Sequence, residues 1–496
     1  MSKSILSLII FFLFSLCTSA QKDGDDVVIG KYYIINSKIL GEERHILVRL
    51  PVGYEDTNLN YPVVYHSYGD YVLTYFADAA SIIERLYNAN RIPQVILIGI
   101  DNTDRYRDLR PMKPDGSPGG IENFIRYFTE ELIPFVKNNF RTADYNILIG
   151  PQAGNCFGLY TLMKHINLFD AFMLDNSFQN PTVISEYLLT EAKSFFNSNK
   201  SLNKFLFMKV NKESPNFQVA LQQKEIIETN LPENFRFEFR LTEPEDDFLM
   251  STDIQYGLKE LFYEYKIPKD ISIKNLDDVK RYYQTFSDKF GFQVNISDIT
   301  LREVGEKLAN EGNDKEAGRI YEYILTQYPK SLDGLFRVAE LNVKRGKYEE
   351  AKKYYEEFLK IRPNEAIIQN KLKNLEKFIT ESAAHEIERT ILIDGLDNGL
   401  KKYKQLRNDN LKYFNENEFI QIGYRFLKTD KTSEAIEIFK ISVELFPESF
   451  NVWDSLGEAY MKNGDTKNAI INYEKSLELN PKNNKARKML EQLQKN

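Results

Sequence analysis

Gly150-Pro151-Gln152-Ala153-Gly154-Asn155 stands where a short apolar run, Tyr145–Gly150, gives way to a helical pattern. Two glycines at a sharp strand-to-helix turn lift the residue between them clear of the backbone, which suits a nucleophile that attacks a carbonyl. That chemistry needs a hydroxyl or thiol, a histidine to take its proton, and a carboxylate to orient the histidine. The residue lifted here is Gln152. Its carboxamide yields no proton to a side-chain base at neutral pH.

The remaining reactive residue types are few. Cys156 lies one helical turn past Gln152, where a core residue is the expected reading and no histidine is placed to activate a thiol. The chain has four histidines: His45, His66, His165 and His385. Only His66, at the end of a central apolar run, comes near the expected cleft, and it reads as a polar residue at the cleft mouth rather than a base. Glu245, Asp246 and Asp247 could ligate a cation together with Glu213. A solvated acidic loop is the preferred reading, and no metal or cofactor is expected. Arg105, Arg107, Arg110 and Lys113 could hold an anionic ligand group over the cleft. The preferred reading is a loop paired to local carboxylates such as Asp104 and Asp108.

These residues need a scaffold. Across residues 30–265, short apolar runs alternate with amphipathic stretches. The runs Pro62–His66, Gln94–Ile100, Tyr145–Gly150, Ala171–Leu174, Phe205–Val210 and Phe235–Leu241 predict buried strands. Ile121–Phe140, Phe157–His165 and Asn216–Thr229 predict helices between them. That rhythm implies a largely parallel sheet covered on both faces, with ligands at the carboxyl ends of the strands.

Residues 301–484 follow another period. Trp453, Leu456, Gly457, Tyr460, Ala469, Tyr473 and Pro481 recur 34 residues earlier as Phe419, Ile422, Gly423, Phe426, Ala435, Phe439 and Pro447. An earlier pair of units ends at Pro329 and Pro363 and carries Gly305, Leu308, Ala317 and Tyr321, then Leu335, Ala339, Ala351 and Tyr355. These are the positions of the tetratricopeptide (TPR) repeat, where small residues let two helices cross and large ones fill the neighbouring repeat. Residues 364–416 lack the period but keep helical patterns at Leu372–Ile379 and Leu400–Tyr413.

A chain of 496 residues is too long for one core, so several domains are expected. Its net charge of −7, with Lys and Glu interspersed, offers no basic face for nucleic acid. Lys3, the apolar Ile5–Leu16 and the small Thr18-Ser19-Ala20 have the three parts of a secretory signal peptide. Leu16 before Cys17 does not suit a lipidation site, where a small residue is wanted. No later run is long and apolar enough to span a bilayer. Cleavage after Ala20 leaves Cys156 as the only cysteine and excludes an intramolecular disulfide.

The first half also resembles a known family. Ser37–Arg44, Ile46–Pro51, Gly53-Tyr54 and Tyr61-Pro62-Val63 are similar to the opening of esterase D-like and enterochelin-esterase-like α/β-hydrolases. Ile92-Pro93 through Ile100, Asn102–Pro111, and Glu130–Pro134 followed by the turn at Gly150 continue the resemblance over about residues 30–265. The resemblance implies a serine where Gln152 stands, a histidine eleven residues before a Gly-Leu pair, and an acid after the strand Phe205–Val210. With Gly257-Leu258 as that pair, the histidine position is Asp246, and the acid position is Glu213. Nucleophile and base are thus both replaced. Backbone donors near Ser67-Tyr68 and at Ala153 can persist, since they need no particular side chain. Ser177, after the next strand, matches a serine that family members often carry, which favours structural use.

The resulting expectation is an α/β hydrolase fold followed by an all-α TPR superhelix. The divisions are a signal peptide at 1–20, an esterase-like domain at 21–265, a connecting helix at 266–300 and a TPR pair at 301–363. A helical connector at 364–416, a second TPR pair at 417–484 and a capping helix at 485–496 follow. The expected function is an exported, catalytically inactive module, periplasmic or secreted. It would bind a small molecule in the cleft through Ser67, Tyr68, Ala153, Arg105, Arg107 and Arg110, and a protein through the repeats. The alternative is a carboxylic-ester hydrolase with non-standard catalytic residues.

Overall fold

The computed structural model describes residues 28–68, 72–101, 104–113, 115–151, 153–176, 183–243, 251–345, 347–409 and 414–494. Contacts divide the chain into two compact units: 1–52, 60–266 and 284–295, then 53–59, 267–283 and 296–496.

The first unit is built on eight strands: β1 (Lys31–Ser37), β2 (Glu42–Arg49), β3 (Tyr61–Tyr68), β4 (Ile96–Asp101), β5 (Thr142–Pro151), β6 (Ala171–Asp175), β7 (Phe205–Asn211) and β8 (Arg236–Thr242). They lie in the order β1-β2-β4-β3-β5-β6-β7-β8. β1 and β2 join antiparallel, and β3 to β8 run parallel. The six predicted strands all form. The first two were not among those runs, because β1 exposes Tyr32 and Ile34 while β2 buries Arg44, which blurs the alternation of apolar and polar residues.

The helices of this unit are α1 (Val72–Asn88), α2 (Arg105–Asp108), α3 (Ile121–Tyr127), α4 (Ile133–Asn139), α5 (Ala153–Lys164), α6 (Val183–Ser198), α7 (Phe217–Thr229) and α8 (Ser251–Leu261). The predicted helix Ile121–Phe140 is interrupted by a π-helical turn, Phe128–Leu132, at whose end Ile133 N–H reaches back to Phe128 O. Pro134 explains it. Proline has no N–H to donate, and its ring would strike the carbonyl of Glu130 in a regular helix, so the turn widens.

The boundary between the units falls inside α9 (Leu276–Phe290), after Tyr283. In the first unit Phe290 packs on Phe262 and Tyr145, with Phe292 beside Tyr145. In the second, Tyr283 Oη and Thr300 Oγ1 are 3.0 Å apart.

The second unit is helical. Its repeats are the pairs α10 (Asp298–Asn310) with α11 (Asp314–Gln327), and α12 (Leu332–Lys344) with α13 (Tyr348–Ile361). Three helices follow: α14 (Ala366–Glu381), α15 (Ala383–Asp394) and α16 (Leu396–Asp409). The second pair of repeats is α17 (Glu416–Lys428) with α18 (Thr432–Leu445), and α19 (Phe450–Lys462) with α20 (Thr466–Leu479). α21 (Asn484–Leu493) ends the array, capped by Asn483. The glycines of the period are places of close helix crossing. A Cβ on Gly305 would lie 2.5 Å from the Tyr321 ring, and one on Gly423 would lie 2.4 Å from Phe439.

Within 364–416 the two helices read from the sequence are three. The added helix is α15, whose buried face carries His385 and Glu388 among Ala383, Ala384, Ile387 and Ile391 and so lacks a clean apolar stripe in the sequence. Only Gly395, at φ 89°, separates it from α16. Residues 410–413, the end of the expected Leu400–Tyr413 helix, lie outside the described residues.

Candidate functional site

At the carboxyl end of the sheet, β5 ends at Pro151 and α5 begins at Ala153, so the chain turns within one residue. The turn depends on two glycines. A Cβ on Gly150 would sit 2.4 Å from Gly154 O, and one on Gly154 would sit 3.4 Å from Ser67 O at the end of β3. β5 and α5 are therefore held in close approach on either side of residue 152, as an elbow requires. Gln152 itself lies outside the described residues, as do Ser177 and the acidic stretch Glu245-Asp246-Asp247. Ser67 is buried beside the elbow. Tyr68 closes β3, Ala153 opens α5 and Arg105 opens α2.

The two side chains best suited to rescue the chemistry are enclosed. His66 is fully buried rather than at the cleft mouth, and burial pulls its imidazole down to about 3. A ring so held is neutral and a weak base. Cys156 is buried too, and desolvation pushes its thiol up to about 12, opposed only in part by the Arg110 guanidinium. It is a thiol and not a thiolate at neutral pH.

Arg107 is committed elsewhere. Arg107 Nε donates to Asp108 Oδ1 at 2.7 Å and Nη2 to Glu42 Oε1 at 2.6 Å, which hold its guanidinium charged. Arg44, fully buried on β2, ion-pairs with the same Asp108 and with Glu42. Its guanidinium lies 5.5 Å from the Phe124 ring centroid and 5.9 Å from that of Tyr127. Arg107 N also donates to Asp104 Oδ1 at 2.9 Å. Local pairing of the basic loop is thus what the structure shows for Arg107.

Glu213 lies exposed in the turn after β7, its N–H donating to Asn211 Oδ1 at 2.8 Å. The side chain that ends β7 on the interior is Asn211, which is buried. Residues 205, 207, 209 and 211 share one face of β7 by the two-residue period. That face carries α8, because a Cβ on Gly257 would contact Phe207 and Met173. Asp175, two residues beyond Met173, points the same way and pairs with Lys209 at 3.6 Å, both side chains buried.

On the opposite face four carboxamides meet. Asn155 Nδ2 and Asn216 Nδ2 both donate to Asn176 Oδ1, at 2.8 and 3.2 Å, and Asn176 Nδ2 donates to Gln223 Oε1 at 2.9 Å. Asn155 Oδ1 and Asn216 Oδ1 are buried with no donor among the described residues. Sequence reasoning missed this cluster and the Asp175–Lys209 pair. Its one signal was Asn155, which departs from the usual elbow pattern. Among the described residues no group of three or more His, Cys, Asp or Glu could hold a metal ion. Among them, too, no helix is long and apolar enough to cross a membrane.

Comparison with known proteins agrees with this geometry. Residues 37–236 match the family model described as "Putative esterase", and residues 332–365 and 450–483 each match a tetratricopeptide repeat model. The chain carries an esterase-family domain followed by TPR repeats. An IroE-like serine hydrolase from Shewanella oneidensis is similar in fold to the esterase-like unit. It is 23% identical with a TM-score of 0.51, and the match covers 59% of this chain and 97% of that one. Over 63 residues the chain is 35% identical to Superkiller complex protein 3 of Homo sapiens, which is 13% of this chain and 4% of that protein. Over 136 residues it is 22% identical to uncharacterized protein YbbA of Bacillus subtilis, 25% of this chain and 53% of that protein. The chain thus spans about half or less of the length of these curated relatives.

Proposed function

We propose that the esterase-like unit is a catalytically silent binding module, exported from the cell, and that the TPR unit engages a protein partner. The observation that carries this reading is the state of His66 and Cys156. Around an elbow whose middle residue is Gln152, both stand-ins are buried, one held neutral and the other held as a thiol. A small-molecule ligand would lie at the carboxyl ends of β3, β5 and β6, close to Ser67 and Arg110. Turnover of a nitrophenyl ester by the full chain tests the reading, and activity well above buffer rules it out.

Export rests on the Lys3, Ile5–Leu16 and Thr18–Ala20 pattern, which lies outside the described residues. On this reading the mature protein lies in a periplasm or outside the cell. N-terminal sequencing from the producing cell should begin at Gln21; an intact Met1 or a lipid-modified Cys17 contradicts it.

A second reading keeps ester hydrolysis with non-standard residues. Its candidate groups are Asp175 and Lys209, which stand 3.6 Å apart near the ends of β6 and β7. On that reading Lys209→Met abolishes a measurable parental rate.

A further inference from the structure

Two of the hydrophobic cores among the described residues of the helical unit reach into its irregular middle, residues 364–416. One joins α12, α13 and α14 through Leu335, Ala339, Tyr355, Phe358, Ile368 and Leu375. The other runs from α15 to α19, through Ala383, Ile387, Phe419, Ile422, Phe439 and Leu456. The 34-residue period fails between them, so the regular spacing from one repeat to the next does not carry across the stretch where the two blocks meet.

A polar group bridges that gap. Tyr348, whose ring belongs to the first core, donates its hydroxyl to Glu388 Oε2 at 2.7 Å. Glu388 lies on α15 and is almost wholly buried. Arg425 of α17 meets both its oxygens, Nε to Oε1 at 2.8 Å and Nη2 to Oε2 at 2.7 Å, and reaches the Tyr348 hydroxyl at 3.4 Å. His385 adds Nδ1 at 3.3 Å from Glu388 Oε2 and stands edge-on to the Tyr348 ring, centroids 5.4 Å apart. At the rim, Arg389 and Glu349 pair at 3.5 Å between α15 and α13.

We propose that Tyr348, His385, Glu388 and Arg425 form a joint that fixes the orientation of the first block of repeats relative to the second. The chemistry suits that task. A two-pronged guanidinium–carboxylate contact is directional and holds one geometry. A buried ion pair adds little net stability over apolar packing, and its best-attested use is to specify one arrangement. Glu388 is the centre, because each of the three other side chains reaches it. With the joint closed, both blocks present their binding faces in one fixed relation; with it open, one block turns against the other.

Spin labels on the full chain test this. Lys353→Cys on α13 and Ser433→Cys on α18 are exposed positions, one in each block. Cys17→Ser removes the leader thiol, and the buried Cys156 thiol resists labelling. The parent should give one narrow distance peak. Glu388→Gln and Arg425→Lys, each with helix content retained, should broaden or split it, and Tyr348→Phe should do so to a lesser degree. An unchanged peak in both Glu388→Gln and Arg425→Lys overturns the proposal. So does loss of helix in all three variants, for then the group holds the helices themselves and not the angle between blocks. If Glu388→Gln alone unfolds, the Arg425→Lys peak decides.

Discussion

Lys209 Nζ lies 3.6 Å from Asp175 Oδ2, across the β6–β7 register that sets the two residues side by side, and neither side chain is exposed. A buried ammonium next to a buried carboxylate is costly to strand. Lys209→Met should leave Asp175 without this counter-charge and weaken the sheet by about 3–5 kcal/mol. Lys209→Met combined with Asp175→Leu should recover much of that loss. Native-state hydrogen exchange of the β6 and β7 amides reads it in the full chain. Equal exchange in parent and single variant means the pair carries no such weight.

His66 makes the sheet sensitive to acid. Its ordinary value is 6.5 and its folded value is about 3, so between those two the unfolded chain binds the proton and the folded chain does not. Stability therefore rises with pH across that window, by up to about 1.4 kcal/mol per pH unit, and is lost as pH falls from 6.5 toward 3. His66→Asn should flatten the slope in that range. A variant that keeps the parental pH profile of β3 and β5 exchange would show that His66 is not the group responsible.

Much of this arrangement is legible in the sequence. β3 to β8 announce themselves as unbroken apolar runs, because a strand covered on both faces has no polar side to show. The elbow could be read because Gly150 and Gly154 are there for close backbone approach. The repeats could be read because Gly423 and Gly457 stand 34 residues apart, and Gly305, Gly423 and Gly457 each stand 16 residues before the ring that packs on them. What stayed hidden was polar and buried. Arg44 on β2 and Glu388 on α15 break the pattern at their own elements, and their partners Asp108 and Arg425 are remote in sequence. The Asp175–Lys209 pair exists only once parallel register sets β6 beside β7. Gln152 and Asp246 lie outside the described residues, so their places rest on the sequence alone.

The repeat packing makes its own prediction. Ala469 is fully buried where α20 crosses its neighbours, close to the cluster with Tyr473 and Ala486. Ala469→Leu should overpack that crossing and destabilise the last repeat by about 1–3 kcal/mol. Ala469→Gly should also destabilise it, by up to about 1 kcal/mol, through helix propensity. Hydrogen exchange along α19 to α21 separates the two. A leucine absorbed without faster exchange would mean the crossing has spare volume.

The decisive prediction concerns the elbow. If its backbone is intact and only side chains are missing, chemistry can be restored. Gln152→Ser alone offers an unassisted hydroxyl, which is a weak nucleophile. Asp246→His alone offers a base with nothing to activate. Together they should hydrolyse a nitrophenyl ester roughly a hundredfold faster than either single variant, the low end of what general-base assistance supplies. That non-additivity is the mark of groups acting as a unit. The geometry adds a refinement about the acid. Glu213 is exposed in its turn, whereas Asn211 ends β7 facing inward. Adding Asn211→Asp should therefore raise the rate further, and Glu213→Gln should change it little. If Glu213→Gln instead removes the gain, the acid place is Glu213, as the resemblance implies. A folded double variant that stays silent means the cleft no longer admits the ester. Parental turnover that survives Gln152→Ala yet disappears with His66→Ala or Cys156→Ala would make this chain an enzyme by another route, against the binding role proposed for it.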